Sequence, residues 1–159
     1  MWHVNIYIHK TQKSPRRQDG AGCYVLETET KKGMETRKRF FELKNETANS
    51  AELILITEAL RRLNKKCRLA IYTEAGQVGA AVESGWIEKW RQNGWKTERG
   101  TPVHDMEKWE EMSSLLADHE YEFKTGAHPY LAWMTWAVEK MKGETECLKN
   151  SETLTARKN

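Results

Sequence analysis

The sequence predicts an α/β domain, a mixed five-stranded sheet with helices on its faces. Apolar residues alternate at period two near the N-terminus and recur at helical spacing from Leu53 onward. Two short apolar runs, Leu69–Thr73 and Tyr121–Lys124, interrupt the helical stretches. At 159 residues the chain suits one domain, long enough to bury a core without staples.

Val4, Ile6 and Ile8 fall on one face of His3–His9, which marks a first strand. A polar loop with Pro15, Arg16 and Arg17 follows, and Asp19-Gly20-Ala21-Gly22 opens a second strand, Cys23–Thr28. Lys31-Lys32-Gly33 makes a turn into a third strand, Arg37–Lys44, around Phe40 and Phe41. Short polar turns between these runs predict an antiparallel meander. Leu53, Ile56, Leu60 and Leu63 then recur as on a helix, and Asn49 with Glu52 three residues later resembles a capping box. Leu69–Thr73 is a strand; Val78–Asn93 and Met106–Ala117 read as helices separated by Gly94 and Pro102. A last strand, Tyr121–Lys124, leads through Gly126-Ala127-His128-Pro129 into a helix from Tyr130 to about Met141. The segment 143–159 is polar and aperiodic, and is expected as a disordered tail beyond a domain over 1–142.

A content of 38% hydrophobic and 31% charged residues is too apolar for general disorder. No apolar run reaches bilayer length, and the N-terminus lacks a basic start followed by an apolar stretch, so a cytoplasmic monomer without membrane contact is expected. Cys23, Cys67 and Cys147 are odd in number and far apart, which suits reduced thiols better than a disulfide framework or zinc site. A net charge of +3 permits contact with phosphate without arguing for it.

The densest local signal is Gly85-Trp86-Ile87-Glu88-Lys89-Trp90-Arg91-Gln92-Asn93-Gly94-Trp95-Lys96-Thr97, followed by Pro102-Val103 and Trp109. This run resembles the tryptophan-rich helix and basic protrusion of the bacterial ribonuclease H type 1 family. Thr47-Ala48-Asn49-Ser50-Ala51-Glu52-Leu53 resembles that family's first helix, Tyr72-Thr73-Glu74 the end of its fourth strand, and Gly126-Ala127-His128-Pro129 the loop before its last helix. The resemblance runs from about Val4 to Met141. It implies a ribonuclease H-like sheet, three antiparallel strands then two parallel ones, and RNA/DNA hybrid as partner.

Members of that family cut the RNA strand of a hybrid with two magnesium ions held by four carboxylates, because hard cations need charged oxygens at fixed geometry. The resemblance places those acids at His9, Glu52, Glu74 and Thr135, so one is unchanged, one lengthened and two replaced. A further assisting histidine falls at Thr125, with His128 as a partial substitute. A neutral imidazole is a poor magnesium ligand, so Glu52 and Glu74 would hold magnesium or manganese weakly or not at all. An alternative site for manganese or zinc would join His9, Glu52 and Glu74, with Asp19 as a further ligand. Blander readings stand beside these: Glu52 as capping partner of Asn49, and His9 as a polar strand-end residue with a hydrogen-bonded ring.

For nucleic acid, the resemblance points to Thr47 and Asn49 at a phosphate pocket and to Trp86, Trp90, Arg91, Trp95, Lys96 and Arg99 on the protrusion. Trp109, Trp133 and Trp136 are expected in the core, while Trp86 and Trp90, four residues apart, suit either core or contact. Asp105 opposes binding, since it stands where the family offers an asparagine; Lys10, Arg16 and Arg17 would offset it. The leading expectation is therefore a degenerate, pseudoenzyme-like hybrid-binding domain with hydrolysis lost or impaired. An active metal-dependent ribonuclease H with an altered site and a structural or protein-interaction module are the alternatives.

Overall fold

Five strands form one sheet in the order β3-β2-β1-β4-β5. The structure is a computed structural model that describes residues 1–74 and 76–143; the polar segment expected as a tail lies, Gly143 apart, outside the described residues. β1 (Trp2–Lys10), β2 (Gln18–Thr30) and β3 (Gly33–Glu46) are antiparallel neighbours, and β4 (Cys67–Thr73) and β5 (Glu120–Thr125) continue the sheet parallel to β1. The three helical segments α1 (Ala48–Leu60), α2 (Gln77–Glu83) and α3 (Trp86–Gln92) are followed by α4 (Met106–Leu116), and α5 spans 131–143.

The period-two pattern sorts the central strands onto two cores. Val4, Ile6 and Ile8 of β1 and Tyr24 and Leu26 of β2 join Leu53, Ile56 and Leu60 of α1 and Trp109, Met112 and Leu116 of α4. On the opposite face Tyr7, Ala21, Cys23 and Val25 pack against Met134 and Val138 of α5. Strands buried on both faces need apolar residues at successive positions, which β1 and β2 supply. β3 lies at a sheet edge and is exposed from Gly33 through Arg39.

Several sequence expectations need correction. The first helix starts two residues earlier than Asn49 and Glu52 suggest: Thr47 is the N-cap, its hydroxyl accepting from Ser50 N at 3.0 Å while Ser50 Oγ accepts from Thr47 N at 2.7 Å. With both donors met by hydroxyls, Glu52 is left facing the sheet. The helix expected over Val78–Asn93 is broken into α2 and α3, because Gly85 adopts a left-handed φ of 76° that ends one helix and aims the next. Trp133 packs on Phe40 with ring centroids 6.1 Å apart, but Trp136 is 60% exposed. Two residues from both Met134 and Val138, it lies about 200° around the helix from each.

α2 approaches β5 closely at Gly79, where an added Cβ would stand 2.7 Å from Phe123 Cβ. Gly79→Val is therefore expected to destabilise the domain by about 1–3 kcal/mol, read as a lower midpoint in urea unfolding.

Candidate active-site cleft and nucleic-acid interface

Because β1 and β4 run parallel, their C-terminal ends reach the same side of the sheet. This brings His9 and Lys10 beside Thr73 and Glu74. Alternation then divides them: His9 follows Tyr7 on the α5 side, whereas Lys10 follows Ile8 toward α1. His9 Nδ1 pairs with Glu74 Oε1, and Lys13 Nζ donates to Glu74 Oε2 at 2.8 Å. Lys10 Nζ lies 3.9 Å from Glu52 Oε1, with side-chain exposures of 5% and 1%. That Glu52 oxygen has no hydrogen-bond partner.

The two carboxyls are tuned in opposite directions. Burial drives Glu52 from an ordinary 4.5 to about 7; Lys10 and a hydrogen bond with Thr73 pull it down and nearby Glu74 pushes it up, but burial wins. Burial would also raise Glu74, yet the hydrogen bonds and charges of His9 and Lys13 hold it at about 2. Glu52 binds its proton more tightly in the folded chain than in the unfolded one. Its contribution to stability is full below pH 4.5 and drains away as pH rises through 7, a loss on the order of 3 kcal/mol. Glu52→Gln should flatten that pH dependence, as urea titrations at several pH values would read.

His128 lies over Tyr7, ring centroids 4.6 Å apart, and its Nδ1 accepts from Tyr130 N at 3.2 Å. Burial lowers its pKa; Glu74 opposes this and His9 adds to it. The ring therefore belongs to the same neighbourhood as His9 and Glu74, and its neutral form carries the proton on Nε2. Thr135 is exposed on α5, its hydroxyl donating to Leu131 O at 2.8 Å. Asp19 accepts from Asn45 N at 2.9 Å and so is turned toward β3. Among the described residues, no three His, Cys, Asp or Glu side chains gather into a metal-holding group.

A pair of magnesium ions does not fit this donor set. Each remaining carboxylate already faces an ammonium, His9 is committed to Glu74, and Thr135 offers no charge. Beside these groups opens a cleft of about 480 Å³ lined by Lys10, Lys13, Arg17, Thr47, Asn49, Glu52 and Asp105. The loop that carries Lys13 and Arg17 is tied to the start of α1 through Ala48 N to Ser14 O at 3.0 Å and to β3 through Arg17 Nη1 to Asn45 O at 3.1 Å. Asp105, the residue that opposes phosphate, stands 3.6 Å from Lys108.

The protrusion is a sewn hairpin. Lys96 bridges Pro102, Val103 N bonds Trp95 O at 2.9 Å, and Asn93 Nδ2 donates to Lys96 O at 3.0 Å. Tryptophan rings run inward from Trp86 through Trp90 to buried Trp109, with successive centroids 6.3 and 5.3 Å apart, and Trp95 flanks Trp90 at 6.4 Å. Arg91 is held by Glu110 at 3.0 Å and Glu88 at 2.6 Å, so its charge is largely compensated within the chain. Trp86, Trp90 and Arg99 line one groove, and Lys96 lies in the adjoining turn.

The family profile described as RNase H matches residues 3–128. The chain belongs to the ribonuclease H family. It is 31% identical over 126 residues to Ribonuclease H of Clostridium botulinum (strain Hall), an alignment covering 77% of this chain and 81% of that one. Ribonuclease H of Caldicellulosiruptor saccharolyticus is 32% identical over 105 residues, 66% of this chain and 70% of its relative. The match to Ribonuclease H of Nitratidesulfovibrio vulgaris (strain DP4) is shorter, 37% over 78 residues, covering 49% of this chain and 50% of the relative. Among solved structures, LC9-RNase H1, a type 1 RNase H with the type 2 active-site motif, superposes with a TM-score of 0.71 at 18% identity, over 91% of this chain and 74% of that one. The mixed sheet, three antiparallel strands then two parallel, is thus the family's fold.

Sequence reading missed Lys13 as partner of Glu74 and took Lys10 for a loop cation. The signal for Lys10 was present, since it continues the Val4, Ile6, Ile8 series that faces α1. Lys13 carries no such signal, because its position depends on how the loop folds back.

Proposed function

We propose that this chain binds RNA/DNA hybrid, or a related duplex, without efficient two-metal hydrolysis. The observation that carries this reading is the pairing of Glu52 with Lys10 and of Glu74 with Lys13 and His9, which sets ammoniums where a ribonuclease H site needs free carboxylates. Thr47 and Asn49 would meet the backbone of one strand in the cleft. Lys96, Arg99 and Trp86 would meet it at the protrusion, with Trp90 and Trp95 supporting the platform. Arg91, committed to Glu88 and Glu110, contributes less. A part of the foamy viral protease-reverse transcriptase, 17% of that chain, shares this fold at 14% identity with a TM-score of 0.57, and that protein has been solved with RNA/DNA hybrid.

Binding to hybrid, double-stranded RNA and double-stranded DNA should be measured across a salt series. With Lys96 and Arg99 as the cationic contacts, a fourfold rise in salt should weaken binding on the order of tenfold or more. Cleavage is assayed in parallel with magnesium and with manganese, using Glu52→Gln to expose contaminating host enzyme. No salt-dependent affinity for any duplex sinks the reading, and so does efficient cleavage that disappears with Glu52→Gln.

A further inference from the structure

The Lys10 side chain is 5% exposed, yet it lines the cleft together with Lys13, Arg17 and Thr47. An ammonium so enclosed is held in one place by the β1 backbone and by Glu52 at 3.9 Å. Lys13, 67% exposed, reaches the same end of the sheet from the loop and is fastened to Glu74. With the partners just outside the lining included, Lys10, Lys13, Arg17 and Lys108 stand against Glu52, Glu74 and Asp105, which leaves one positive charge in excess. Lys10 is not hydrogen-bonded by that Glu52 oxygen, which lies 3.9 Å away and has no hydrogen-bond partner.

We propose that the ammoniums of Lys10 and Lys13, with the Arg17 guanidinium beside them, replace divalent ions as the cationic floor on which a phosphodiester of nucleic acid rests. The cleft then grips its strand without metal. This inference rests on the duplex-binding reading above and deepens it. A divalent ion lowers the electrostatic cost of bringing a phosphate next to two carboxylates. Here covalently attached cations do the same from fixed positions, so no ion has to be recruited before binding. Lysine suits this task as a compact point charge with three donors that it can share between a carboxylate and a phosphate. The Thr47 hydroxyl and the start of α1 border the same space and add polar contact to a strand already held by charge.

The test is fluorescence anisotropy of labelled RNA/DNA hybrid with the full chain in EDTA and in magnesium. Affinity in EDTA should equal or exceed that in magnesium, since magnesium only competes for the phosphates. Lys13→Gln with Arg17→Gln, both at exposed positions, should weaken binding several-fold and make the salt slope shallower by about two. Lys10→Met combined with Glu52→Gln removes the buried cation without stranding a carboxylate and should weaken binding further, its fold checked by circular dichroism. Lys96→Gln with Arg99→Gln should weaken binding while leaving the indifference to EDTA intact. Binding that requires magnesium or manganese overturns the proposal and leaves the duplex-binding reading standing. Unchanged affinity and salt slope in the Lys13 and Arg17 variant does the same. No binding to hybrid under any of these conditions removes both.

Discussion

A chain carrying His9→Asp, Lys10→Ala, Glu74→Asp and Thr135→Asp together is expected to cut the RNA strand of a hybrid in magnesium. Its rate should exceed that of the parent by roughly a hundredfold or more, the scale on which electrostatic groups at a reacting centre act. The changes add two acids to Glu52 and residue 74 and remove the Lys10 ammonium that stands 3.9 Å from Glu52. Shortening residue 74 withdraws its carboxyl from Lys13, which now holds it at 2.8 Å. Denaturing gel electrophoresis of a labelled RNA strand reads the outcome, with Glu52→Gln in the same background as control. If the quadruple variant binds hybrid like the parent and yields no metal-dependent product, the barrier to cleavage lies outside the acids.

Lys10→Met alone should change stability in a direction set by pH. Near pH 5 the Glu52 carboxyl carries its proton, because burial holds its pKa at about 7, and a methionine in place of a buried ammonium leaves the domain at least as stable as the parent. Near pH 8.5 Glu52 must be either ionised without Lys10 or protonated against the solvent, and the variant should lose about 3 kcal/mol or more, the usual scale for breaking a buried ion pair. Adding Glu52→Gln should abolish the loss. Urea unfolding at the two pH values measures this directly, and equal destabilisation at both would show that Lys10 acts through packing and not through charge.

The fold was legible because its strands are buried on both faces or on alternate positions, so β1, β2 and β4 announce themselves by composition and period. Where local signals compete, the sequence was ambiguous. Asn49 with Glu52 and Thr47 with Ser50 both satisfy the spacing of a helix start, and only the packing of Glu52 against the sheet end decides between them. Gly85 stood inside a helical period whose break depends on a left-handed φ that no periodicity reports. Trp136 was assigned to the core for its helical spacing, although Met134 and Val138 define the buried face of α5. In the site, His9, Glu52 and Glu74 could be placed near one another by resemblance alone. His128 was offered by the same resemblance and Lys10 by the alternation along β1, whereas Lys13 reaches Glu74 through loop closure, which follows no fixed spacing along the chain.

The exposed β3 strand has a bearing on how the chain behaves in concentrated solution. Fourteen residues long and lying at the rim of the sheet, it offers unpaired backbone groups on which a second molecule can extend the ladder. Arg37, Lys38 and Arg39 follow one another on the exposed half of that rim, between Glu35 and Glu42, so two such strands paired about Lys38 would set basic side chains against basic ones and repel. Replacing these three by threonine would remove the repulsion at a strand that already favours extended backbone, and light scattering would read the edge-to-edge assembly that follows.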